Sequence, residues 1–172
     1  MNVEIKGIKI FKSKISFDNR GFFQEIFKKK KIKSKEFIFY CSSSSKKNVL
    51  RGLHLQTKNS QAKYVTVLKG KIFDVSVDLR KNSKTFGKHF SIYLANKSYN
   101  SIYIPKGFAH GFYCLEKENI VLYALSNYRN KKSEKVIRWN DKDLKINWPV
   151  KKPLLSLKDK KNISFKEYCQ NF

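Results

Sequence analysis

Within residues 72–79, Ile-Phe-Asp-Val-Ser-Val-Asp-Leu, apolar and polar alternate strictly from Phe73 on, and a period of two admits a strand and excludes a helix. Phe73, Val75, Val77 and Leu79 share one face; Asp74, Ser76 and Asp78 share the other. A second β-rich run, residues 64–68, comes just before, and Lys69-Gly70 between them reads as the turn of a hairpin. Similar short runs recur at 90–94, 101–104, 111–115 and 120–125, with Pro105-Lys106-Gly107 turning the chain between two of them. Many short strands with polar turns, and no helical periodicity in the middle of the chain, predict an all-β sandwich or barrel of jelly-roll type.

The flanks are less regular. Residues 3–17 alternate loosely, as an edge or arm strand does, and Asp18-Asn19-Arg20-Gly21 reads as a turn leading to Phe22, Phe23 and Glu25. Lys28 to Lys31 form a lysine run expected on a solvated helix or loop. Together these make an N-terminal arm over about residues 1–30. Residues 37–40 suggest a short strand, and Ser42 to Ser45 with Lys46-Lys47 a polar loop. Beyond Arg138-Trp139 the chain turns irregular. Residues 153–159 are expected to pack back on the barrel, and 160–172 to form a short helix or loose tail. The 172 residues, with no internal repeat, suit a single domain with a real core.

Composition removes several functions. The net charge of +25 raises nucleic acid as a partner, yet the charge is mostly lysine scattered along the whole chain. Arginine, the better residue for forked phosphate and base contacts, is confined to Arg20, Arg51, Arg80, Arg129 and Arg138. A solvated lysine surface is therefore expected, with no specific nucleic-acid site. Cys41, Cys114 and Cys169 are odd in number and form no Cys-x-x-Cys pair, so a reduced, cytoplasmic setting fits. No signal-peptide core and no apolar run of about 18 residues is present, which argues against a membrane protein. The histidines, His54, His89 and His110, contain no His-x-His, so no metal is expected; Gly-x-Ser-x-Gly and phosphate-cradling glycine loops are missing too.

What remains is acid–base chemistry. Residues 49–56 put Arg51, Gly52 and His54 inside an otherwise apolar run. Singly, His54 reads as a core imidazole, Tyr123 as a core tyrosine and Lys63 as a surface lysine. A lysine, a second histidine (His110) and a phenol on further strands are nonetheless what a proton-transfer pocket inside a barrel requires.

Residues 47–56, 73–80 and 107–112, with Asp18–Phe23 near the start and Leu155–Asp159 near the end, resemble the dTDP-4-dehydrorhamnose 3,5-epimerase family in order over roughly residues 3–160. The resemblance implies a cupin-like jelly roll, a homodimer, and no metal or organic cofactor. It also implies a nucleotide-linked 4-keto-6-deoxyhexose as substrate, dTDP-4-dehydro-6-deoxy-D-glucose, inverted at C3 and C5 through an enolate to dTDP-4-dehydro-L-rhamnose. His54 is then the base, Asp159 the carboxylate that orients it, Tyr123 the acid on the opposite face and Lys63 the cation near the enolate oxygen. A nearby cation is expected to help the phenol ionise. Arg20, Glu25, Arg51, His110, Glu134 and Lys158 become substrate-binding residues, Arg20 and Glu25 on an arm that reaches the partner subunit's site. The chain departs from the family where Phe39-Tyr40-Cys41 stands for Gln-Asp-Asn, and where Tyr128-Arg129 stands for two tyrosines. Both departures bear on which sugar is bound and on whether one carbon or two is inverted. A 3- or 5-epimerase, a silent nucleotide-sugar-binding barrel and a nucleic-acid-binding protein are the alternatives.

Overall fold

The computed structural model describes residues 5–28, 32, 37–98 and 100–172; of the lysine run, residues 29–31 lie outside them. In chain order the strands are β1 (Lys9–Lys12), β2 (Lys14–Asp18), β3 (Gly21–Glu25), β4 (Phe39–Lys46), β5 (Leu50–Gln56) and β6 (Lys63–Lys69). They continue with β7 (Lys71–Asp78), β8 (His89–Ala95), β9 (Asn100–Ile104), β10 (Phe108–Cys114), β11 (Glu118–Leu125) and β12 (Glu134–Val136). Two short helices follow, α1 (Leu157–Lys160) and α2 (Phe165–Asn171).

Two five-stranded antiparallel sheets make a jelly roll, one ordered β1-β9-β6-β11-β4 and the other β12-β5-β10-β7-β8. Strands β2 and β3 form a separate hairpin whose Asp18–Gly21 pair closes the expected turn. Within the two large sheets only β7 and β8 are both consecutive and paired; the other connections cross between sheets.

That crossing overturns two expectations. Residues 64–69 and 71–78 are strands, but they lie in different sheets, so Lys69-Gly70 is a corner and not a hairpin turn. Gly70 suits the corner: its φ is +82°, and a Cβ there would sit 2.3 Å from the Glu118 carbonyl oxygen. The serine-rich stretch is no loop either. It forms most of β4, paired with β11 from Phe39↔Leu125 to Lys46↔Glu118, with Cys41, Ser43 and Ser45 more buried than their exposed neighbours. A β ladder satisfies the backbone there, and pairing overrides the weak strand propensity of serine.

The core has two main parts. Between the sheets lie Val65, Val67, Ile72, Leu94, Ile102, Phe112 and Val121. Outside the second sheet, Phe73, Val75, Val77, Leu53 and Tyr113 pack against Leu144, Trp148 and Tyr168 of the C-terminal segment. Both faces of β7 are therefore covered, and Asp74, Ser76 and Asp78 on its polar face are fully buried. Each fully buried valine contributes about 1.5–3 kcal/mol, enough to anchor a tail with little regular structure of its own. A capping box at Ser164 and Glu167 starts α2, so the tail ends in a short helix.

Candidate active site

Alternation along β5 would send Arg51 and His54, three residues apart, to opposite faces. Both line one cavity of about 450 Å³ between the sheets. A bulge reconciles them: His110 pairs with His54 but Phe112 with Arg51, so one extra residue sits on the β5 side. Gly52 and Gly111 make the bulge possible. A Cβ on Gly52 would lie 2.5 Å from the Gly111 Cα, and Gly52 has φ +125°. The extra residue restores the parity that turns both functional side chains inward.

His54 sits on β5 and Tyr123 on β11, in facing sheets, so the two line opposite walls. His54 Nε2 is 2.5 Å from Asp159 Oδ1. Asp159 comes from 105 residues further along the chain, and local chemistry sets its position. Ser156 caps α1 by accepting from the Asp159 backbone N–H, while its hydroxyl donates to Asp159 Oδ2 at 2.7 Å. The preceding residues dock beside β5, where Leu154 exchanges backbone hydrogen bonds with Leu50 and Asn48. Burial would raise the Asp159 carboxyl, but the hydrogen bonds from His54 and Ser156 outweigh it and hold the group below the usual carboxylate range. Nδ1 is thus the His54 nitrogen not committed to Asp159.

Tyr123 is half-buried, and its hydroxyl lies 3.2 Å from Ser43 Oγ on β4. Burial pushes the phenol well above its ordinary value; Ser43 and the Arg51 cation oppose this only in part. The Arg51 cation does favour ionisation, but desolvation outweighs it. Arg51 Nε donates to Ser45 Oγ at 2.8 Å and its Nη2 to the Ser44 carbonyl at 3.1 Å. Lys63 also lines the cavity. Burial lowers its ammonium to about 8, against the pull of Asp74, Glu134 and Cys41.

His110 Nε2 donates to Asp74 Oδ2 at 2.8 Å, and burial keeps this imidazole below its usual range despite Asp74. At the mouth, the Glu134 carboxylate pairs with Lys158, and Arg129 donates to it through Nε and Nη2 at 3.0 and 2.9 Å. Burial would raise Glu134, and these two cations bring it below the usual range.

Every site residue expected from the sequence lines this cavity except Arg20 and Glu25. Arg20 pairs with Asp18 at the exposed tip of the β2–β3 hairpin, and Glu25 pairs with Lys28 at 2.6 Å. Sequence reasoning missed Asp74, Ser43 and Ser156 as partners of His110, Tyr123 and Asp159. Asp74 carried a signal, being polar in an alternating strand, and so did Ser156, spaced as a helix cap before Asp159. Among the described residues no three His, Cys, Asp or Glu side chains are grouped as metal ligands, and no helix is long and apolar enough to cross a membrane.

A family model described as dTDP-4-dehydrorhamnose 3,5-epimerase matches residues 2–167. A protein of that name from Shigella flexneri is 44% identical over 168 residues, covering 92% of this chain and 93% of that one. Another, from Neisseria gonorrhoeae, is 42% identical over 92% of this chain, which spans 50% of that longer protein. Among solved structures, the dTDP-6-deoxy-D-glucose-3,5-epimerase of Legionella pneumophila Philadelphia 1, in complex with dTDP-4-keto-L-rhamnose, matches with a TM-score of 0.87. Its identity is 41%, over 93% of this chain and 88% of that one.

Proposed function

The chain belongs to the dTDP-4-dehydrorhamnose 3,5-epimerase family, and from that premise we propose that it inverts C3 and C5 of a nucleotide-linked 4-keto-6-deoxyhexose, with dTDP-4-dehydro-6-deoxy-D-glucose as substrate. The observation that carries the reading is a base and a phenol on opposite walls of one sugar-sized cavity. The C4 ketone acidifies the protons on C3 and C5. His54 Nδ1 removes one, the C–H electron pair moves into the ring, and the enolate oxygen gathers negative charge. Lys63, still largely protonated at neutral pH, lines the same cavity and stabilises that charge. Asp159 holds the imidazole and supports the imidazolium. Burial keeps Tyr123 a neutral phenol, ready to give its proton to the opposite face of the same carbon. The residues then reset by exchanging protons with solvent.

Arg51, His110, Glu134 and Lys158 hold the rest of the substrate, the arginine suited to paired contacts with diphosphate oxygens. Arg20 and Glu25 act in a partner's cavity within a homodimer. Their distance from this chain's own cavity supports that, as does the hairpin that carries Phe17, Phe22 and Phe23 at 66%, 59% and 70% exposure. The three cysteines are free, which suits the reducing cytoplasm.

The test is incubation with dTDP-4-keto-6-deoxyglucose in deuterated water, with the label located by NMR. Deuterium at both C3 and C5 with inversion supports the reading. Label at C3 alone makes the enzyme a 3-epimerase, and no label at either carbon overturns the proposal.

A further inference from the structure

The two inward-facing serines of β4 have different partners: Ser45 holds the Arg51 guanidinium, and Ser43 meets the Tyr123 hydroxyl. We propose that Ser43 is a positioning residue for Tyr123, aiming the phenol's proton at the sugar and donating its own hydrogen to the phenolate left after transfer. This rests on the reading of Tyr123 as the acid.

Three observations carry it. Ser43 Oγ lies 3.2 Å from Tyr123 Oη, and either atom can donate, so the contact survives a change in the charge of the phenol. Among the described residues, Ser43 is the only hydrogen-bond partner of that hydroxyl. The register pairs Ser43 with Val121 and Cys41 with Tyr123, so Ser43 approaches diagonally from an eight-residue ladder that fixes its direction. Inversion breaks the Tyr123 O–H bond, forms a C–H bond on the sugar and leaves a negative oxygen in a buried pocket. A buried anion without a donor is costly, and Arg51 is already held by Ser45 and the Ser44 carbonyl. The Ser43 hydroxyl is the donor at hand.

Proton removal by His54 on the opposite wall does not use this contact, so the two halves of the reaction respond differently. Ser43→Ala, Ser43→Thr and Tyr123→Phe are assayed on dTDP-4-keto-6-deoxyglucose in deuterated water for both solvent exchange and inversion. Ser43→Ala is expected to slow inversion roughly 10- to 100-fold, the range for a hydrogen bond to a charged group, while exchange changes only a few-fold. The ratio of exchange to inversion then rises as in Tyr123→Phe, and Ser43→Thr, which keeps the hydroxyl, restores it. A raised ratio in Tyr123→Phe with an unchanged ratio in Ser43→Ala overturns the role of Ser43 and leaves the acid in place. An unchanged ratio in Tyr123→Phe removes the acid, and Ser43 with it.

Discussion

Two histidine–aspartate pairs lie side by side in one sheet, with His54 directly opposite His110 across the β5–β10 ladder, and their surroundings differ at every point. The His54 side chain is 28% exposed at the cavity, and its carboxylate arrives from a helix turn far along the chain. His110 is 4% exposed, and its carboxylate stands on the adjacent strand β7 at 0%. Asp159 has both oxygens satisfied, by His54 and Ser156. Asp74 has only His110: its Oδ1 is buried without a hydrogen-bond partner among the described residues. The same two residue types thus form one pair whose ring is partly open to the cavity, the one we read as transferring protons, and one pair buried so fully that its imidazole stays below its ordinary value. Access, more than identity, separates them.

Mutation of the two histidines breaks this comparison most sharply. His54→Ala is expected to lower both solvent exchange and inversion by about 10³- to 10⁴-fold, the scale of a lost general base, with little change in the urea midpoint. His110→Ala strands the Asp74 carboxylate in the interior without its donor, and leaving a buried charged group unsatisfied costs about 3 kcal/mol. Equilibrium unfolding in urea measures it; a loss under 1 kcal/mol would mean that the buried pair does not hold the fold. Tyr123→Phe comes next, with inversion reduced by about 10²- to 10³-fold and exchange retained. Equal losses of the two would reduce the tyrosine to a packing residue.

Smaller effects refine the picture. Asp159→Asn leaves the His54 ring in place but removes a charge-assisted hydrogen bond, so turnover should fall about 10- to 100-fold, with exchange and inversion declining together. A rise in their ratio would move Asp159 to the acid's side of the mechanism. Lys63 adds a pH signature. As pH rises through about 8 the folded protein loses this cation, so kcat/KM should decline there, and Lys63→Met should abolish that alkaline limb. Stability moves the other way. The unfolded chain keeps this proton up to the ordinary lysine value of 10.5, so between the two values the unfolded state binds more protons and Lys63 makes the fold more stable as pH rises. Opposite slopes for activity and stability, both lost in Lys63→Met, identify the group.

Much of this was legible in the residues themselves. Alternation in 72–79 and the short β runs around it establish the strands and their apolar faces, since a period of two is a local property of the backbone. The Ser156–Asp159 cap is equally local. Residues 42–45 were not legible, because pairing with β11 supplied the strand that their own propensity denied. Nor could the corner at Gly70 be told from a hairpin, since a turn residue looks the same whether the next strand returns beside the last or crosses to another sheet. Alternation says that the two faces of β7 differ, not which one looks inward. Here the polar face looks between the sheets and carries Asp74 to His110, while the apolar face is covered by a C-terminal segment more than sixty residues away. The bulge at Gly52 likewise brings Arg51 and His54 to one wall against the count of residues between them. A sequence prescribes periodicity strand by strand; only the packing of distant segments decides which side of each strand becomes the interior, because burial depends on what covers a face and not on the face alone.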